Sequence, residues 1–236
     1  MKDFEKFLIM HCAPTLASLK PASLFNYTYL SEEELSENIQ YWNEEMNEKG
    51  LYLTILRKRN QKALIYVCRV PDLERVLKDF QILNFLNGYG YECGNCHEAI
   101  EILKSRLESQ EDFPHEIGVF LGYPLEDVTG FIRNTGQNFV YMGFWKVYGN
   151  KEEAVKTFHR YKKCTDIYSR LWEQGRSVKK LIVAASHKLQ YRHKEERHEQ
   201  DSSCVLERHR KYRSNGSSCP ARNPRKWCRW TVVYEQ

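Results

Sequence analysis

The sequence predicts an α+β protein in which a small, mainly antiparallel sheet is packed with several helices. Three observations carry that expectation. Residues 51–70 hold two runs rich in leucine, isoleucine, valine and tyrosine around a polar stretch, which reads as a hairpin, and a further strand is expected near residues 144–147. Several segments open with a capping signal and then space apolar residues three and four apart, as amphipathic helices do. Strands mixed with many helices, with one obvious hairpin among them, indicate α+β.

Taken in order, the opening helix is expected over residues 3–10, where Phe4, Phe7 and Leu8 share a face. It should stop before His11, Cys12, Ala13 and Pro14, because proline disfavours helix at the residue before it. Residues 20–29, with Pro21 followed by Leu24, Phe25, Tyr27 and Tyr29, suit an extended edge. Ser31 with Glu34 forms a capping box and Leu30 with Leu35 a hydrophobic staple. Leu35, Ile39, Trp42 and Met46 then line one helical face until Gly50 closes it. In the hairpin, residues 51–58 and 63–70 flank the polar residues 59–62. Pro71 and Asp72 start a helix to about residue 80, and an apolar segment continues to Leu86 before Gly88 and Gly90. Asn95 with Glu98 is a second capping pair, opening a helix with Ile100, Leu103 and Leu107. After the strand near 144–147, Asn150 with Glu153 caps a long helix carrying Val155, Phe158, Tyr161, Cys164, Tyr168 and Leu171, stopped by Gly175.

The densest pattern lies in residues 112–150. Asp112 is placed to cap, Pro114 to occupy a first-turn position, and Glu116 to meet the positive end of the helix dipole. Ile117, Phe120 and Leu121 give one apolar face, Gly122 ends it, and Pro124 restarts a helix with Leu125, Val128, Phe131 and Ile132. Two short helices joined at a glycine are expected, a layout like a DNA-binding helix-turn-helix. A groove-reading helix needs arginine, lysine or asparagine, however, and this one offers Glu126 and Asp127, with Gly130 weakening it. Nucleic acid is therefore not expected as a partner, and a DNA-binding regulator is the disfavoured alternative.

With 236 residues and 42% hydrophobic content, the chain can bury a core. No apolar run approaches the roughly 20 residues of a membrane helix, so no membrane partner is expected. Asp3 and Glu5 interrupt the N-terminus, and its apolar run at residues 7–10 is too short for an export signal. A cytoplasmic location follows as the expectation, with the eight cysteines as reduced thiols. Charge is uneven: residues 188–236 hold twelve Lys and Arg against six Asp and Glu, net +6, which leaves the preceding residues at −1 of the chain's +5.

Several of these stretches also resemble a known family. His11 to Phe25 (HCAPTLASLKPASLF), Phe113 to Ile132 (FPHEIGVFLGYPLEDVTGFI), Trp145 to Asn150 (WKVYGN) and the FHRYKKC ending at Cys164 are similar to an uncharacterised bacterial family catalogued as domain of unknown function 3793. The resemblance spans about residues 1–184, and the family's members come mainly from anaerobic Gram-positive bacteria. It implies a boundary, with residues 1–184 as one α+β domain, and it implies no mechanism and no cofactor.

Candidate chemistry gathers at three places. Cys12 beside His11 could act as a thiolate nucleophile if the fold brings it to His115 as base and Glu116 as orienter, which would make a small cysteine-dependent enzyme. Against this, free cysteines are among the most buried residue types, and Glu116 has a plain role at a helix N-terminus. Cys93 and Cys96 form a CxxC at a helix start, a redox pair or half of a metal site, although a tetrahedral site needs four ligands and the body holds no second pair. Glu126, Asp127 and Trp145 are candidate ligand-binding residues, with aromatic packing as the bland alternative.

Residues 185–236 are expected to form a basic, disordered tail whose cysteine and histidine spacings match no zinc motif. Synonymous codons allow a sharper reading. Residues 198–217, back-translated and read one base later, can spell MSKIAVVYWSGTGNTEAMA, which resembles the start of a flavodoxin with its FMN phosphate loop. Lys194, Glu195 and Glu196 can be written as a ribosome-binding sequence just upstream. The tail is thus expected to be a read-through or frameshift product running into a flavodoxin gene. The favoured expectation is an accessory or binding protein linked to flavodoxin-dependent redox or iron metabolism.

Overall fold

The computed structural model describes residues 2–92, 94–109 and 113–184. Asp112 as a cap, Cys93, and the tail with its reading-frame origin lie outside the described residues. Helix α1 (Lys2–Leu16) leads into β1 (Ala22–Thr28), α2 (Glu32–Asn47) and the hairpin of β2 (Leu51–Arg59) and β3 (Lys62–Arg69). Helices α3 (Val70–Leu77), α4 (Phe80–Asn87) and α5 (Cys96–Ser109) follow, then the short α6 (Ile117–Phe120) and α7 (Leu125–Arg133). A ribbon of β4 (Tyr141–Met142) and β5 (Lys146–Val147), the long α8 (Lys151–Glu173) and a last turn, α9 (Val178–Leu181), complete the described chain. The expected α+β architecture is what the chain adopts.

The main sheet is antiparallel with order β1-β3-β2. Side chains alternate across a strand, and β3, central in this sheet, is apolar on both sides. Ala63, Ile65 and Val67 face one way with Phe25 and Tyr27 of β1 and Leu51 and Leu53 of β2, under α1, α2, α9 and the end of α8. Leu64, Tyr66 and Cys68 face the other way with Ala22 and Leu56, under α3, α4, α5 and α6. Each fully buried Leu, Ile or Phe contributes on the order of 1.5–3 kcal/mol, so both faces of the sheet are needed. The Tyr66 hydroxyl donates to the Phe120 carbonyl at 2.7 Å and pins α6 to the second face. Arg69, fully buried at the end of β3, donates from Nε to the Thr15 carbonyl and from Nη2 to those of Leu16 and Val183, each at 2.6 Å.

Four local expectations change. The strand near residues 144–147 is short and stands outside the main sheet, pairing with β4 in a separate ribbon; the third strand of the main sheet is β1. Helix α1 runs through His11 and Cys12 with Pro14 inside it. The hydrogen bond that proline forfeits falls at the exposed Met10, while ending the helix there would uncover Cys12, Ala13 and Leu16, all fully buried. Leu30 is 89% exposed and forms no staple, because the alternation that buries Tyr27 and Tyr29 turns it outward. The capping box itself is present, with Ser31 Oγ accepting from the Glu34 N–H at 3.1 Å. The helix expected to reach residue 80 stops at Leu77, and the apolar segment after it is a helix of its own, since Asp79 caps α4 by accepting from the Gln81 and Ile82 N–H groups.

The two short helices of the central run are joined as expected. Gly122 lies in the left-handed region at φ 74 and against the Pro21 ring, where any side chain would collide. No helix among the described residues is long and apolar enough to cross a membrane.

Candidate functional site

Cys12 projects from α1 onto the first face of the sheet and is 0% exposed. Burial pushes its thiol up to about 12, and a neighbouring Lys20 charge and a Ser23 hydrogen bond offset only part of that. His11 is half-buried, stacked on Phe25 with ring centroids 5.6 Å apart, and burial lowers its pKa. Glu116, by contrast, belongs to the second face. It is 2% exposed, accepts from Arg106 Nε at 2.6 Å and from the Tyr91 hydroxyl at 3.1 Å, while Arg106 Nη1 donates to the Tyr89 carbonyl at 3.0 Å. Burial and the Glu116 charge raise the Tyr91 hydroxyl. This carboxylate ties α5, the loop before it and the start of α6 together. His115 packs edge-on to Phe131 at 4.9 Å. The sheet therefore separates Cys12 from Glu116, and the expected Cys12, His115 and Glu116 constellation is not assembled. Its thiol has also lost the low pKa that a nucleophile needs.

Asp127 and Trp145 do meet, in a packing role. Asp127 is buried; one oxygen accepts the Trp145 indole N–H at 2.7 Å and the other the backbone N–H groups of Tyr148 and Gly149 at 2.7 and 2.9 Å. Trp145 stacks on Tyr123 at 4.7 Å and meets Phe158 edge-on at 4.5 Å. The exposed Glu126 carboxylate lies against the backbone of Gly149, and a side chain there would have to displace it. Of the three expected ligand-binding residues, Asp127 and Trp145 are thus bonded to each other, and Glu126 stays at the surface. Cys96 begins α5, is buried, and points its Sγ toward Glu74 at 3.9 Å. Its CxxC partner Cys93 is outside the described residues, and among the described residues no group of three or more His, Cys, Asp or Glu is placed to hold a metal ion.

The feature that the sequence reading missed lies on the ribbon. Phe144 and Trp145, at its turn, bend inward onto Phe158 and Tyr161, so the ribbon lies flat against α8. That leaves Val140 and Met142 outside, 55% and 51% exposed, while Tyr141 between them stacks on Phe158 at 6.1 Å. Cations border this strip: Lys146 Nζ sits 5.0 Å from the Phe139 ring centre and Lys151 Nζ 5.5 Å from that of Tyr141. Along α8, Lys156, Arg160 and Lys163 recur at four and three residues on an exposed stripe, on the side of the helix away from Phe158 and Tyr161. Residues 133–163 hold seven Lys and Arg against two Glu, net +5, in a body whose first 187 residues sum to −1. The run Phe139, Val140, Tyr141, Met142, uncharged and of high strand propensity, was the signal that could have revealed it.

A family model described as "Protein of unknown function (DUF3793)" matches residues 8–182. No curated protein matches, and no solved structure matches.

Proposed function

The chain belongs to the DUF3793 family, and from that premise we propose that it is an accessory binding protein that docks an acidic protein partner on the face formed by the ribbon and α8. The observation that carries this reading is the pairing of exposed Val140 and Met142 with Lys146 and Lys151, which lie over the neighbouring Phe139 and Tyr141 rings. Aromatic residues, Met and Arg are the types enriched at protein interfaces, and an apolar centre with a charged rim is their usual anatomy. A flat strip suits a protein face better than insertion into lipid, and its charge repels a second copy of itself, which favours an acidic partner over self-association. The partner we assign first is a flavodoxin, on the resemblance in the tail, with both proteins in the cytoplasm. A cysteine enzyme built on Cys12 has no supporting geometry, and a DNA reader would have to use α7, whose first turn is acidic.

Titrating the full chain with a flavodoxin by calorimetry tests the proposal. Binding should weaken about tenfold between 50 and 200 mM salt and be abolished by Val140→Asp or Met142→Asp, both at exposed positions. Affinity that ignores both substitutions, or no binding at low salt, overturns the assignment.

A further inference from the structure

The β2–β3 hairpin carries a recess of about 240 Å³ lined by Arg57, Arg59, Asn60, Lys62 and Leu64. Its charge is a product of strand register. Leu51 and Leu53 of β2 face α1 and α2, and an unbroken strand would send Arg57 and Arg59 the same way. A bulge between Ile55 and Arg57 shifts the pairing, so that Arg57 stands opposite Leu64 and Arg59 opposite Lys62. Both arginines and Lys62 thereby turn to the side of Leu64, and the three cations converge. The same shift puts Lys58 opposite Ala63 on the first face, where Glu32 neutralises it at 2.5 Å.

The contrast between the two faces is informative. Lys58 has its carboxylate, whereas among the described residues Arg57, Arg59 and Lys62 have none. Arg57 is steadied by the Phe113 ring, 6.0 Å from its guanidinium carbon. The turn at the end of the hairpin is rigid: Asn60 and Gln61 both hold left-handed backbone, at φ 51 and 56, and the Gln61 carbonyl accepts the Tyr29 N–H at 3.2 Å.

We infer that this recess is an anion site that takes a phosphoryl group, as a diphosphate or a phosphate ester of a small molecule. Two guanidinium forks offer paired donors to phosphate oxygens, and Lys62 adds a point charge. Three uncompensated cations match a multiply charged anion better than a single carboxylate. Among the described residues the recess is lined by three cations close to the hairpin tip, a span that suits one or two phosphates better than a nucleic-acid backbone. This site is separate in residues and in chemistry from the protein-docking face proposed above.

The test uses the full chain and inorganic pyrophosphate at constant ionic strength, read by backbone amide NMR shifts of residues 57–64, which report the site itself and not the basic tail. Saturable shifts are expected. Arg59→Ala, at an exposed position, should weaken binding about tenfold, Arg59→Lys should keep part of it, and Lys58→Ala should leave it unchanged. Absence of saturable shifts overturns the inference, as does equal loss in Lys58→Ala and Arg59→Ala. Single-stranded oligothymidylate that shifts the same amides more tightly than pyrophosphate would also overturn it, in favour of a nucleic-acid site.

Discussion

Asp127 accepts the indole N–H of Trp145 at 2.7 Å with one oxygen while the other gathers two backbone N–H groups, so one buried carboxylate fixes where the ribbon leaves α7 and where α8 begins. Asp127→Asn keeps the shape and turns an NH₂ toward groups that can only donate. It should cost about 2–3 kcal/mol, because buried donors are left without acceptors. Urea denaturation with tryptophan emission as the readout checks this; an unchanged midpoint would mean that Asp127 is not the organising contact.

How much of this was legible in the sequence depends on the distance over which each interaction acts. The Ser31 and Asn150 caps, the hairpin and the Gly122 corner rest on residues within a few positions of each other, and each could be read directly. Glu116 was read as a helix-dipole acid because its partner Arg106 lies in another helix. The acidic pair Glu126 and Asp127 correctly argued against groove reading, yet nothing local showed that Asp127 would turn inward to Trp145. The bulge that re-aims Arg57 and Arg59 is set by pairing with β3, which periodicity along one strand does not contain.

Cys12 should be inert in the folded protein. With its thiol fully buried and raised to about 12, iodoacetamide at pH 8 should label it at least about a hundredfold more slowly than in urea. Peptide mapping by mass spectrometry reads the site separately from the other cysteines. Rapid native labelling at Cys12 would restore the cysteine-enzyme alternative.

Stability should pass through a maximum near pH ~9–10, because buried groups of opposite sense titrate on either side. Burial holds Lys20 below its ordinary 10.5, at about 8, so its contribution is full above 10.5 and is lost as pH falls through 8. Burial raises Cys12 from 9.0, and Tyr27 and Tyr168 from 10.0, each to about 12, so their contributions are full below their unfolded values and are lost as pH rises toward 12. The urea midpoint should therefore climb from pH 8 to 9 and fall above 10. Lys20→Met should remove the climb and raise the midpoint at pH 7. A midpoint for that variant that still climbs from pH 8 to 9 would show that Lys20 is not its source.

The Arg69 clamp sets an order of events during synthesis. Its guanidinium is shared between the end of α1, already made when β3 emerges, and the Val183 carbonyl, which the ribosome adds 114 residues later. Val183 also donates its own N–H to Leu16 at 3.0 Å, so one late residue closes both ends of the same junction. Until it arrives, a buried positive charge lacks one of its acceptors and the groove beside α1 stays open. A chain cut before Val183 would lack both of these hydrogen bonds, one to the Arg69 guanidinium and one to the end of α1, and so would leave the junction unlocked.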